Sequence, residues 1–123
     1  MNFLRKLGFF ERRASKRIDP VPPLKGICSC KELGQEGFLV YVTQASQSGA
    51  LISVNKQKFG VGIFVELRIA ISGRSEELLL RGKVLRSWRQ GGHGWYSAVI
   101  KFSSESEGHA QMLLNYLAHR GAR

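Results

Sequence analysis

Val65-Glu66-Leu67-Arg68-Ile69-Ala70-Ile71 is the stretch that decides the fold class. Apolar side chains fall at every second position and alternate with Glu66, Arg68 and Ala70, the period of a strand with one dry and one wet face. Downstream, Gly73 and Arg74 read as a turn into a second alternating run from Leu78 to Trp88. There Leu78, Leu80 and Val84 share one face, and Arg81 and Lys83 share the other. Gln90-Gly91-Gly92-His93-Gly94 then closes a hairpin into Trp95 to Phe102. Upstream, Leu24 to Glu32 predicts a first strand and Gly34-Gln35-Glu36-Gly37 a turn. Phe38 to Thr43 predicts the next strand, and a polar turn leads into Gly49 to Val54. Six short strands joined by tight turns predict a mainly β protein, a small six-stranded antiparallel β-barrel.

The end of the chain changes period. Ser104-Glu105-Ser106-Glu107 has the spacing of a capping box, and Met112, Leu113, Tyr116 and Leu117 recur on one face up to Arg120-Gly121. This predicts a C-terminal α-helix packed on the barrel. The start is different in kind, so the expected division is a flexible basic N-terminal arm over residues 1–19 and a barrel with its helix over residues 20–123.

At 123 residues the chain is long enough to bury one core, and its net charge of +10 with pI near 10.2 favours polyanionic partners. Nucleotides, nucleic acids, acidic protein surfaces and anionic membranes all satisfy that charge. Cys28 and Cys30 are one residue apart, so on a strand they point to one face and do not pair, which fits a reducing cytoplasm. His93, His109 and His119 have no metal-ligand spacing with them, and no metal is expected. No run approaches a membrane span, and the N-terminus lacks the pattern of a secretory leader. Residues 1–10 nevertheless mix Phe3, Leu4, Leu7, Phe9 and Phe10 with Arg5 and Lys6, a short amphipathic segment able to order on a membrane, a partner or its own domain; a frayed tail that packs an aromatic or two on the barrel ranks slightly above membrane contact. Catalysis is not expected. Asp19 is the only aspartate, Glu76 and Glu77 diverge on a strand, and no histidine is paired with a nucleophile and an acid.

Two stretches carry recognition chemistry. Glu11-Arg12-Arg13-Ala14-Ser15-Lys16-Arg17-Ile18 holds four cations in six positions and ends at Asp19-Pro20. Arg13 and Arg17 present two planar forks suited to a flat, doubly anionic ligand. Asp19-Pro20-Val21-Pro22-Pro23 forces an extended link that limits how far those forks wander. In Gln44-Ala45-Ser46-Gln47-Ser48-Gly49, an amide, a small hydroxyl and a glycine let backbone approach a ligand closely.

An Arg-x-x-x-Arg arm followed by an Asp/Asn-x-Ser-x-x-Gly turn resembles the paired signature of PilZ domains, bacterial receptors for cyclic di-GMP. The resemblance covers Glu11 to Arg120, matching at Arg13, Arg17, Ser46 and Gly49, with Arg12 as an extra cation in front. The family's Asp or Asn is Gln44 here, and the glycine often found late in its last strand is Ala98 or Val99. The resemblance implies that Arg13 and Arg17 bind phosphates and guanine while Arg12 reaches a second stacked nucleotide. Ser46 would bond a phosphate or base edge, Gly49 would admit the purine, and Gln44 would act for the shorter acceptor. The output would be an arm ordered over the nucleotide and read by a downstream protein. Two rivals stand beside this: a PilZ-like adaptor that binds proteins without nucleotide, and a small RNA- or DNA-binding barrel. The latter would use Arg86, Trp88, Arg89, Trp95 and Tyr96, and it ranks below the other two.

Overall fold

The computed structural model describes residues 17–20, 22–30, 35–55, 58–71, 77–91 and 94–121. Six strands, β1 (Leu24–Cys30), β2 (Gln35–Ala45), β3 (Gly49–Asn55), β4 (Phe64–Ala70), β5 (Glu77–Gln90) and β6 (Trp95–Phe102), precede a 3-10 turn (Ser104–Ser106) and a helix α1 (Glu107–Gly121). All strand pairs are antiparallel, and the order β1-β2-β3-β6-β5-β4 closes through β1 and β4 into a barrel. The predicted mainly β, six-stranded barrel with a C-terminal helix is the observed fold. Closure matters because an open sheet this small would leave two rows of unpaired backbone groups facing water.

The alternation read in β4 is seen directly: Val65, Leu67 and Ile69 are buried, while the intervening Glu66 and Arg68 are only partly so. Of the turn expected over Gly34–Gly37, Gln35, Glu36 and Gly37 are strand, because β2 already begins at Gln35, and Gly34 lies outside the described residues. Gly37 is a strand residue, and its absent side chain has a packing reason: a Cβ there would sit 2.9 Å from Ile27 Cγ2. The hairpin glycines Gly91 and Gly94 have φ of 71° and 79°, the left-handed backbone that tight hairpins require. The predicted turn at Gly73-Arg74 and the end of the first predicted strand at Lys31-Glu32 lie outside the described residues.

Three register shifts reshape the barrel wall, between Cys28 and Cys30, Val42 and Gln44, and Val84 and Arg86. The third flips the phase of β5. Leu78, Leu80 and Val84 face the core; Leu85 sits within the shift, and beyond it the even-numbered Trp88 joins Leu85 against Val99 on the outer wall. Val99 therefore has no exposure at all, although its neighbours Ala98 and Ile100 belong to the interior.

One core fills the barrel, and α1 adds Ala110, Leu113, Leu114 and Leu117 to it. The loop residue Phe59, 1% exposed, stacks on Phe38 with ring centroids 5.5 Å apart. Cys28 and Cys30 are free and buried, and burial, reinforced by Cys30, pushes the Cys28 thiol up to about 12. The expected capping box is not formed. The residue preceding the 3-10 turn is Ser103, and its side chain makes no cap bond. The serines bind β5 instead: Arg81 N–H donates to Ser106 Oγ at 2.8 Å, and Ser103 N–H donates to Arg81 O at 2.8 Å. His109 Nδ1 accepts the Leu79 N–H at 2.8 Å. These bonds satisfy the part of β5 that lies before its pairing with β6 begins at Gly82, so a cap was exchanged for closure of an edge. Among the described residues no helix is long and apolar enough to cross a membrane.

Candidate functional site

The turn between β2 and β3 is tightly built. Ser46 N–H donates to Gly49 O at 2.9 Å, and the Ser46 hydroxyl, fully buried, accepts the Ser48 N–H at 3.2 Å. Gly49 is buried at the start of β3. Gln44 follows the bulge in β2 and pairs with Leu51, and its Oε1 is buried without a hydrogen-bond partner. A buried orphan acceptor costs about 1–3 kcal/mol, so it marks a place where the fold tolerates an unmet need for a donor.

The chain leading out of the basic arm is clipped to this turn. Ile18 N–H donates to Ala45 O at 2.8 Å, and Ala45 N–H donates to Ile18 O at 2.9 Å, a two-bond antiparallel bridge. Arg17 is thereby held beside the strand end that carries Gln44 and Ser46, although 27 positions separate Arg17 from Gln44 in the chain. Its Nε lies 3.8 Å from Asp19 Oδ1, a loose pair with both side chains well exposed, which leaves the guanidinium accessible. Arg12 and Arg13 lie outside the described residues. Of the six residues singled out in the sequence, the structure thus brings together Arg17, Gln44, Ser46 and Gly49.

Sequence reasoning missed the wall that runs along β2 and β3 from Thr43 towards Trp95. Pro23, Tyr41, Thr43, Ser53, Gln90 and Trp95 line a cavity of about 370 Å³ on the β2-β3-β6 side of the barrel. Tyr41 and Trp95 meet with centroids 6.0 Å apart, and Ser97 Oγ–H donates to Gln90 Oε1 at 2.6 Å. Alternation along β6 was a usable signal for Trp95, Ser97 and Val99 sharing a face. The β5 bulge, which brings Trp88 onto that same face, has no local signature. The grouping of Arg86, Trp88, Arg89, Trp95 and Tyr96 as one surface does not hold, since Tyr96 packs against the core while Trp88 packs on Val99 outside. Among the described residues no three His, Cys, Asp or Glu are grouped to hold a metal ion. The larger cleft, about 520 Å³ and lined by Ser29, Phe64, Val65, Glu66, Arg81, Ser103 and Glu105, lies on the β1-β4-β5 side of the barrel. There Arg81 Nε donates to Glu66 Oε2 at 2.8 Å, an interaction that holds the guanidinium even more firmly charged than usual.

Comparison with known proteins agrees with this architecture. The fold is similar to the Bacillus subtilis inhibitor of motility MotI/DgrA (TM-score 0.66, 18% identity, covering 91% of this chain and 52% of that one). It is similar also to the PilZ domain of YcgR from Escherichia coli, solved with c-di-GMP (TM-score 0.64, 14% identity, 90% and 95%). A third similar structure is the K. pneumonia MrkH-c-di-GMP complex (TM-score 0.69, 13% identity, 92% and 55%). The chain spans about half the length of MotI/DgrA and MrkH. A comparison with curated protein sequences finds no match. The model of the PilZ domain family matches residues 11–119, and with that match and this barrel the chain belongs to the PilZ domain family.

Proposed function

We propose that this protein is a cyclic di-GMP receptor whose arginine arm orders over the nucleotide. The observation that carries the reading is the Ile18–Ala45 bridge, which tethers the Arg-x-x-x-Arg segment to the Gln44–Gly49 turn. Two proteins of similar fold, the PilZ domain of YcgR and MrkH, were solved with c-di-GMP and support the choice of ligand. The tether lowers the entropic cost of binding, because Arg17 is already held beside the turn.

In this reading Arg13 and Arg17 meet phosphate oxygens and the O6 and N7 acceptors of guanine, which match a guanidinium fork. Arg12 reaches a second stacked nucleotide. Gly49 admits the purine to the backbone, Ser46 turns its hydroxyl from Ser48 to the ligand, and the orphaned Gln44 Oε1 gains a donor. The Tyr41 and Trp95 rings form an apolar contact further along the same wall, towards the other end of β3. Closing the arm replaces one exposed surface by another, and a downstream protein reads the difference. No step of this requires catalysis or a metal. Calorimetry with cyclic di-GMP tests it: Arg13→Ala and Arg17→Ala each weaken binding by about 1.5–3 kcal/mol, the worth of a charge-assisted contact, with unchanged melting. Unchanged affinity in both variants would refute the site. The buried Gln44 Oε1 favours one second reading, an adaptor that keeps the fold and binds protein alone; wild-type protein that shows no heat with the nucleotide selects it.

A further inference from the structure

Val61 and Phe64 are large apolar residues left exposed, at 68% and 58%. Both stand at the entry to β4, on a tight turn in which Gly62 has φ of 92° and donates its N–H to Val84 O at 2.7 Å. The turn lifts them into a crest. Around it the barrel register sets cations: Phe64 pairs with Lys83, Lys83 pairs with Lys101, and both lysines are exposed. Lys83 Nζ stands 5.4 Å from the Phe64 ring centroid. Lys58 leads into the turn and Arg86 follows Val84 on β5, each exposed. Two carboxylates that line the adjoining cleft, Glu66 and Glu105, are both engaged by Arg81, at 2.8 and 3.7 Å.

We propose that this crest docks on an anionic lipid bilayer, Val61 and Phe64 entering between headgroups while Lys58, Lys83, Arg86 and Lys101 meet the negative surface. Charge complementarity chooses this occupant over an acidic protein. The concave surface next to the crest is the cleft lined by Glu66 and Glu105, so an acidic partner shaped to wrap Phe64 would be driven against two carboxylates. A flat, diffusely charged bilayer touches the convex crest and clears the cleft. Apolar tips ringed by basic residues also need no precise hydrogen-bond partner, which a fluid headgroup layer could not supply. The inference does not rest on the nucleotide reading and uses none of its residues, although Lys101 pairs with Gly49 of the turn.

The test is sedimentation of the full chain with vesicles of phosphatidylcholine alone and of phosphatidylcholine mixed with phosphatidylglycerol. Binding to the mixed vesicles and not to the neutral ones is expected. The double variant Val61→Ser/Phe64→Ser weakens that binding by at least about tenfold, from the lost apolar burial. Lys83→Glu weakens it by about fivefold or more, from the lost cation. All of these side chains are exposed, so melting stays at the wild-type temperature. Absence of binding to mixed vesicles overturns the proposal. So does binding that both variants leave unchanged, which would move the contact to residues 1–10. Crest-dependent binding to polyglutamate with none to vesicles overturns it in favour of an acidic protein partner.

Discussion

Replacing Gln44 by Met separates the stability of the turn from its use. Methionine keeps the length and nearly the volume of glutamine but carries no amide. In the structure Gln44 Oε1 is buried and lacks a partner, so wild type bears the desolvation cost of an acceptor, about 1–3 kcal/mol, with nothing to offset it. Gln44→Met removes that cost and should raise the unfolding free energy by about the same amount, or roughly 4 °C in Tm per kcal/mol for a chain of this size. In the proposed complex the same amide is a ligand contact, so the variant should bind cyclic di-GMP more weakly, by about 0.5–1.5 kcal/mol. Two opposite signs are therefore expected from one substitution, measured by denaturant melts and calorimetry on the same preparation. A variant no more stable than wild type would show that the acceptor is already satisfied in solution. A gain in stability with unchanged affinity would show that the amide does not touch the ligand. Gln44→Asn is the companion: an amide held on one fewer rotatable bond should tighten binding by about 0.5–1.5 kcal/mol.

Three further outcomes follow from the geometry. Cyclic di-AMP, which places an amino donor where guanine has O6, should bind much more weakly than cyclic di-GMP in competition titrations, and equal binding with steep salt dependence would indicate a nonspecific basic surface. Gly82→Ala should lower stability by about 1–3 kcal/mol in a thermal or denaturant melt, because the new Cβ would sit 2.3 Å from Lys101 O and 2.7 Å from Ile100 Cγ2. Because the Cys28 thiol is raised from 9.0 to about 12, the unfolded chain ionises first, and the stability of wild type relative to Cys28→Ala should be constant below pH 9 and fall as pH rises towards 12. Flat behaviour of that difference across the window would mean that the thiol is open to water.

What was readable in the chain was local. The alternation of Val65, Leu67 and Ile69 reports which side of a strand is dry, and it needs no knowledge of the partner strands. The apolar stripe ending in Leu113 and Leu117 likewise reports a helix face without saying what it covers. Gly37 was misread because glycine signals both a turn and a close approach, and only the position of the Ile27 methyl distinguishes them. Ser104-Glu105-Ser106-Glu107 was misread for a related reason: a serine hydroxyl serves a helix end or a strand edge equally well, and the edge of β5 that β6 does not cover claimed Ser106.

The candidate site divides in the same way. Sequence alone determined the chemistry available: the guanidinium forks at Arg13 and Arg17, the departure at Gln44, the excess positive charge, and the small residues at Ser46 and Gly49. These are properties of residue type and spacing. Tertiary structure alone decided that Ile18 clips onto Ala45, that the Gln44 acceptor is buried without a donor, and that the β5 bulge carries Trp88 to the outside. It also decided that Phe64 and Val61 stand out among lysines drawn from three different segments. The physical reason is that each of these depends on the register between strands distant in the chain. Barrel closure and the bulges set that register, and a residue's own neighbours in sequence carry no record of it.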